Sequence, residues 1–252
     1  MSIWIDPPRW PAHGRLWSHL ISDTSTAELR TFADEAGVPA RAFEGDHYDV
    51  PQELYADLLA AGARPTTTAH LLQLLDSARL RLRKRTGEKG IGRVLDVRFP
   101  DGSIADVDLV ASSRTPPEGA TFASAVVVQE AGGRFLMAYS RRRREWSAPG
   151  GWREPGESPL TTAVRETAEE TGIALDPQAL RPVAYERFHP HPASPWPVPG
   201  GRFLAVFRCD LTASSPALTA PEGEPAEWVD RESMLRRYAE SWWLPLLTHL
   251  LP

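Results

Sequence analysis

Residues Gly150–Ile173 read GGWREPGESPLTTAVRETAEETGI, and the fold is decided by how this stretch is read. Ser158 followed by Pro159 suits the N-cap and first position of a helix, and Gly172 suits the position just past its end. Between these signals Leu160, Val164 and Thr167 share a side that can pack on a sheet. Glu166, Glu169 and Glu170 fall within about 100° of one another on the neighbouring side. Arg165 stands one turn before Glu169 and can reach its carboxylate. Three carboxylates crowded on one face repel one another unless a cation neutralises them, and oxygen ligands select a hard dication such as Mg2+ or Mn2+. A solvated acidic face has the same composition, so the three glutamates alone leave both readings open.

On the N-terminal side of this helix, VLDVRFPDGSIADVDLV (94–110) alternates Leu95, Val97 and Phe99 with Ala105, Val107 and Leu109 around PDGS, a hairpin pattern. ASAVVVQEAGGRFLMAYSR (123–141) is a second strand–turn–strand, with Gly132 and Gly133 in its turn. This half is therefore expected to be mixed α/β. Nearer the N-terminus, IWID makes a short strand ended by Pro7 and Pro8, and two amphipathic helices stop at Gly37 and Gly62. Leu71, Leu74, Leu75 and Ala78 follow at helical spacing, with Thr68 as the expected cap. The expected organisation is a small, mostly helical α/β domain over 1–85, a basic linker over 86–92 and a second domain over 93–252.

Composition narrows the function class. The chain has 252 residues, 42% hydrophobic and 24% charged, with 24 prolines and 18 glycines that predict many turns. Even the stretch Phe122–Val128, broken only by Ser124, is far short of the ~20 apolar residues a membrane helix needs. The start, MSIWIDPPRW, lacks the basic and apolar regions of a secretory signal. One cysteine, Cys209, excludes an internal disulfide and an all-cysteine zinc site. A net charge of −5 argues against non-specific nucleic-acid binding. The expectation is a cytoplasmic protein that acts on a small molecule, without nucleic-acid or membrane partners and with a homodimer admitted.

The 150–173 segment resembles the Nudix box, G-x5-E-x7-R-E-U-x-E-E-x-G-U with U apolar. Gly151, Glu157, Arg165, Glu166, Glu169, Glu170, Gly172 and Ile173 stand at matching positions, and Thr167 at the first U is the one departure. The resemblance implies an α/β/α sandwich with a mixed sheet and a metal-holding loop–helix–loop. It implies water attack on a phosphorus of a nucleoside diphosphate linked to another moiety. Carried over by position, the metal ligands are Glu169, Glu170, Glu166 and the Gly150 carbonyl, with Mg2+ or Mn2+ as cofactor. Glu166 is a ligand or a base, Arg165 orients the carboxylates and Glu157 holds Arg165. Several family members take their base from outside the box, for which PEGEPAEWVD offers Glu222, Glu224 and Glu227.

Substrate features flank the box. Within Arg141–Arg144, Arg143 and Arg144 are candidates to clamp phosphate. PWPVP (195–199) is similar to an SQPWPFP element of NADH pyrophosphatases, with Ala193, Ser194 and Val198 as departures. Trp196 is there the candidate to stack a base, while His189 and His191 read as loop residues. The favoured substrate is NADH- or ADP-ribose-like. The alternatives are a nucleoside triphosphate, or a nucleotide-sensing module with the N-terminal domain as effector. That domain, through IWID, GRLWSHLISD, ELRTFADEAGV, HYDV and AAGA, resembles a small bacterial family of unknown function, with Arg30 where a histidine is expected. Its polar candidates for holding a metal or a phosphate are Asp6, His19, Asp23, His47 and Asp49, His19 and Asp23 sharing a face if helical.

Overall fold

The computed structural model describes residues 2–251. The chain forms two compact units, Met1–Arg93 and Val94–Pro252.

The first unit contains β1 (Ile3–Ile5), β2 (Trp10–Ala12), β3 (Arg15–Ser22), α1 (Thr26–Glu35), β4 (Tyr48–Pro51), α2 (Tyr55–Ala60), β5 (Arg64–Pro65) and α3 (Thr68–Ser77). The strands make a five-stranded sheet in the order β2-β3-β1-β5, with β4 also on β3. This corrects the reading of one strand followed by helices. GRLWSHLIS is a strand whose buried positions include Ser18 and Ser22 beside Leu20 and Ile21, so its inner face lacks the apolar alternation that betrays a strand. Thr67, not Thr68, caps α3 by accepting from the His70 amide at 3.2 Å. Residues 89–92, read as linker, are already extended in β6 (Lys89–Arg98), because strand pairing outweighs a composition typical of loops.

The second unit adds β7 (Ile104–Ala111), β8 (Thr121–Gln129), β9 (Phe135–Ser140), β10 (Glu145–Ser147) and β11 (Gly150–Trp152). After these come α4 (Pro159–Thr171), β12 (Arg181–Pro190), β13 (Phe203–Asp210), β14 (Ala226–Val229), α5 (Arg231–Arg237) and α6 (Leu244–Leu250). A nine-stranded mixed sheet runs β10-β9-β8-β13-β12-β7-β6, with β11 on β8 and β14 on β9. β8 and β13 are parallel, whereas β13–β12 and β12–β7 are antiparallel.

Alternation along β8 and β13 separates two layers. Val126 and Val128, with Ala205, Phe207 and Cys209, pack against Ala163, Leu160 and Val164 of α4. The intervening Ala125, Val127, Leu204 and Val206 face the other way, toward Leu246, Leu247 and Leu250 at the chain's end. Helices thus cover opposite faces of a mixed sheet.

Helix α4 starts and stops where its sequence signals stand. The Ser158 hydroxyl accepts from the Thr161 amide at 3.1 Å, Pro159 opens the helix, and Gly172 closes it in the left-handed region at φ 77°. Thr167, at the position expected to be apolar, is fully buried, and its hydroxyl donates to the Ala163 carbonyl at 2.8 Å.

Candidate active site

Five donor contacts from Arg165 organise the box. Nε and Nη2 reach the two oxygens of Glu157 at 2.8 and 3.0 Å, and Nη1 reaches Glu166 at 3.0 Å and Glu169 at 2.7 Å. Nη2 also donates to the Trp152 carbonyl at 3.0 Å, tying the helix to β11. Glu157 in turn accepts from the Thr162 hydroxyl and the Glu154 amide. The Arg165 guanidinium holds the Glu157 carboxyl down at about 2, so the pair stays charged.

Beyond this pair the carboxylates crowd. A pocket of about 350 Å3 is lined by Glu166, Glu170, Glu222 and Glu224 together with Arg142, Arg143, Gly150, Gly151 and Trp152. Glu170 accepts from the Gly150 amide at 2.9 Å. Burial, reinforced by Glu166 and Glu222, pushes its carboxyl up to about 7. Burial also raises Glu166 above the usual carboxylate range, with Glu169 and Glu222 adding to the effect.

The backbone is shaped to admit these acids. A Cβ on Gly151 would stand 2.4 Å from the Glu166 carboxyl, and one on Gly150 would stand 2.3 Å from the Ser124 carbonyl oxygen. Only glycine lets β11 pass between β8 and the acidic face of α4. The result is an all-oxygen donor set, short of positive charge, that fits a hard dication. Glu166, Glu170 and Gly150 line the pocket, Glu169 is held beside it by Arg165, and these three carboxylates with the Gly150 carbonyl are the groups that would hold it.

Other expected residues divide. Glu222 and Glu224 come to the pocket: the Glu222 amide donates to the Glu169 carbonyl at 3.3 Å, and Glu224 accepts from the Arg141 amide at 3.2 Å. Glu227 does not, since it is taken up by Arg237 and Tyr238. Arg143 lines the pocket, donating to Ser147 at 2.8 Å and pairing with Glu145 at 3.1 Å. Arg144 is exposed, has a positive φ of 55° and is absent from the pocket lining among the described residues. Arg142 takes its place, its guanidinium 4.5 Å from the Trp152 ring. His189 lies in β12 rather than a loop, 2.9 Å from Asp108.

A second cavity of about 400 Å3 shares Arg142, Arg143, Gly150, Gly151 and Trp152 with the acidic pocket. Its wall is aromatic: Phe99, Phe122, Phe188, Trp196 and Trp242. The Trp196 ring lies 5.6 Å from that of Phe188 and edge-on to Phe122 at 5.8 Å, while its Nε1 donates to the Gly201 carbonyl at 3.1 Å. Two polar groups missed in the sequence interrupt the apolar lining. Glu186 is 6% exposed and has no hydrogen-bond or ion-pair partner among the described residues. Burial, with Glu145 adding repulsion, pushes its carboxyl up to about 8. Trp243 presents a buried Nε1 likewise without a partner. Alternation places Glu186 and Phe188 on the same side of β12, which is the signal that could have found the first of them.

In the N-terminal unit, His19, His47 and Asp49 converge, with Asp6 behind His19. Asp23 stays apart, accepting from the Ser2 amide at 3.0 Å and Trp4 Nε1 at 2.9 Å. His19 and Asp23 share no helical face, because His19 lies in a strand.

The family model of the NUDIX domain matches residues 120–250. The chain belongs to the NUDIX family. Membership carries the class of chemistry with it, hydrolysis of a pyrophosphate bond. A second model, a protein family of unknown function called DUF4031, matches residues 3–78. Among curated relatives, the Nudix chain is 30% identical over 136 residues to a MutT-like protein of Streptomyces ambofaciens, covering 54% of this chain and 80% of the relative. It is 35% identical over 79 residues to YjhB of Bacillus subtilis, provisionally named an ADP-ribose pyrophosphatase, covering 31% of this chain and 36% of the relative. A solved pyrophosphohydrolase of Bacillus subtilis is similar at 17% identity and a TM-score of 0.42, covering 62% of this chain and 96% of that one.

Proposed function

We propose that this Nudix domain is a divalent-metal-dependent pyrophosphohydrolase whose substrate is a nucleoside diphosphate joined to a second moiety, of the NADH or ADP-ribose kind. The observation that carries the reading is the shared wall between the acidic pocket and the aromatic cavity. A diphosphate held at the pocket would have its neighbouring base or nicotinamide within reach of Trp196 and Phe188. The name given to the Bacillus relative points the same way.

Held by Glu166, Glu169, Glu170 and the Gly150 carbonyl, Mg2+ or Mn2+ would supply positive charge to the site and make a water more acidic. Arg143 and Arg142 meet the outer phosphate oxygens with charged N–H groups. Glu222, from the loop beyond the box, takes the proton of the attacking water. Arg165 and Glu157 keep Glu166 and Glu169 in place without touching substrate.

The test is product analysis on a panel of NADH, ADP-ribose, nucleotide sugars and nucleoside triphosphates with Mg2+ or Mn2+. Release of a nucleoside monophosphate from NADH or ADP-ribose, and its loss in E222Q, is the expected result. Turnover confined to triphosphates with release of inorganic pyrophosphate overturns the substrate assignment. Binding across the panel without turnover overturns the enzymatic reading in favour of a sensor.

A further inference from the structure

We propose that His19, His47 and Asp49 form a binding site for a first-row transition dication, zinc foremost, in the N-terminal unit. One potential ligand atom from each lies within 4.8 Å of the other two. The strands bring them there: His19 stands directly opposite Asp49 in the antiparallel β3–β4 pair, and His47, two residues before Asp49, falls on the same side by alternation. His47 Nε2 is 3.4 Å and His19 Nε2 3.8 Å from Asp49 Oδ1. Two ligand atoms each ~2.1 Å from one ion in a tetrahedral shell stand about 3.4 Å apart, so the spacing accepts an ion with little movement.

The second observation lies behind the ligands. His19 Nδ1 is 3.1 Å from Asp6, and His47 Nδ1 is 2.5 Å from Asp46, both aspartates being fully buried. Each imidazole is thereby fixed with Nδ1 inward and Nε2 facing the shared point. A carboxylate on the far nitrogen is the arrangement that orients metal-bound histidines and makes them better donors. The aspartates are themselves anchored, Asp6 by the Thr68 hydroxyl at 2.6 Å and Asp46 by the Leu82 amide at 2.7 Å. Asp49 is 42% exposed, so an ion can enter and keep water in its remaining positions. Two imidazoles and one carboxylate favour zinc and its neighbours over magnesium, which separates this site from the all-oxygen box.

The experiment is a titration of the full chain with cobalt(II), read by visible absorption, and with zinc, read by thermal melting. The double variant E169Q/E170Q removes binding at the box. Expected are one equivalent of cobalt with the strong ligand-field bands of a histidine site, retained in E169Q/E170Q, and a dissociation constant at least tenfold weaker in D49N. Zinc raises the melting temperature of E169Q/E170Q but not of the triple variant D49N/E169Q/E170Q, in which both sites are removed. Asp49 is half-exposed, and among the described residues its side chain pairs with His19 and His47, so D49N should fold; D49A serves as a second variant, and circular dichroism without metal checks both. Cobalt bands unchanged in D49N and D49A, or no cobalt bound in E169Q/E170Q, overturn the assignment in favour of a proton-bridged histidine–aspartate cluster.

Discussion

The Arg165 guanidinium grips both carboxylate oxygens of Glu157, eight residues before it, at 2.8 and 3.0 Å, and reaches Glu169 with the nitrogen left over. One planar cation therefore sets the position of the loop and of the acids at once. Lysine, with a single charged nitrogen, cannot reproduce that fork. R165K and E157Q are expected to fold, and to lose about 10- to 100-fold in kcat and in Mn2+ affinity, as when groups behind a metal ligand are removed. Steady-state kinetics and Mn2+ titration check this; unchanged metal affinity in both variants would refute the positioning role.

Gly151 is the second lever. An added methyl would fall 2.4 Å from the Glu166 carboxyl, so G151A must displace that carboxyl from its present position. The expected loss is about 100-fold or more in kcat/KM, as small misplacements near chemistry can cost, with a modest change in melting temperature. A wild-type rate in G151A would remove Glu166 from the chemistry.

Glu186 ties stability to pH. Its carboxyl is raised from the usual 4.5 to about 8, so the folded state prefers the neutral acid. That preference contributes fully below pH 4.5 and is lost as pH rises toward 8, because the unfolded chain ionises first and folding must then recover a proton. E186Q carries no such proton. Its unfolding free energy should fall less steeply than that of wild type between pH 5 and 8, by about 3 kcal/mol over the interval. Denaturant titrations at both ends measure the slope; parallel curves would contradict it.

Thr167 is the residue at which the chain departs from the box. Its hydroxyl is already satisfied by the helix carbonyl one turn earlier, so nothing else depends on it. T167V replaces one β-branched side chain by another of the same shape. Stability should change by less than about 1 kcal/mol, with kinetics and metal affinity unchanged. A tenfold loss of activity would reveal a role for the hydroxyl.

What the sequence made legible follows from the range of the interactions. Helix α4 reads directly, because Ser158, Pro159 and Gly172 act within a turn of where they stand. The hairpins around 100–103 and 132–133 read for the same reason. Strand β3 did not, because Ser18, His19 and Ser22 replace the apolar period with polar groups, and the partners of His19, Asp6 and Asp49, lie on other strands and loops far along the chain. Glu222 and Glu227 are indistinguishable in a loop of acids, and only the placing of Arg237 withdraws Glu227 from the pocket. Glu186 was hard to read because a lone charged residue in a strand ordinarily faces water, and only its alternation with Phe188 marks it as inward-facing. Its burial depends on which side of β12 the cavity opens.

The division of labour along β8 has a consequence for how such a chain can change over time. Even-numbered positions such as Val126 and Val128 fasten the helix that carries the acids, whereas Ala123, Ala125 and Val127 border the space beside them. Enlarging or trimming the odd-numbered set would reshape what the molecule accepts while the anchorage beneath the box stays intact. New preferences can thus be acquired by drift at a few alternate sites, with no toll on the catalytic scaffold.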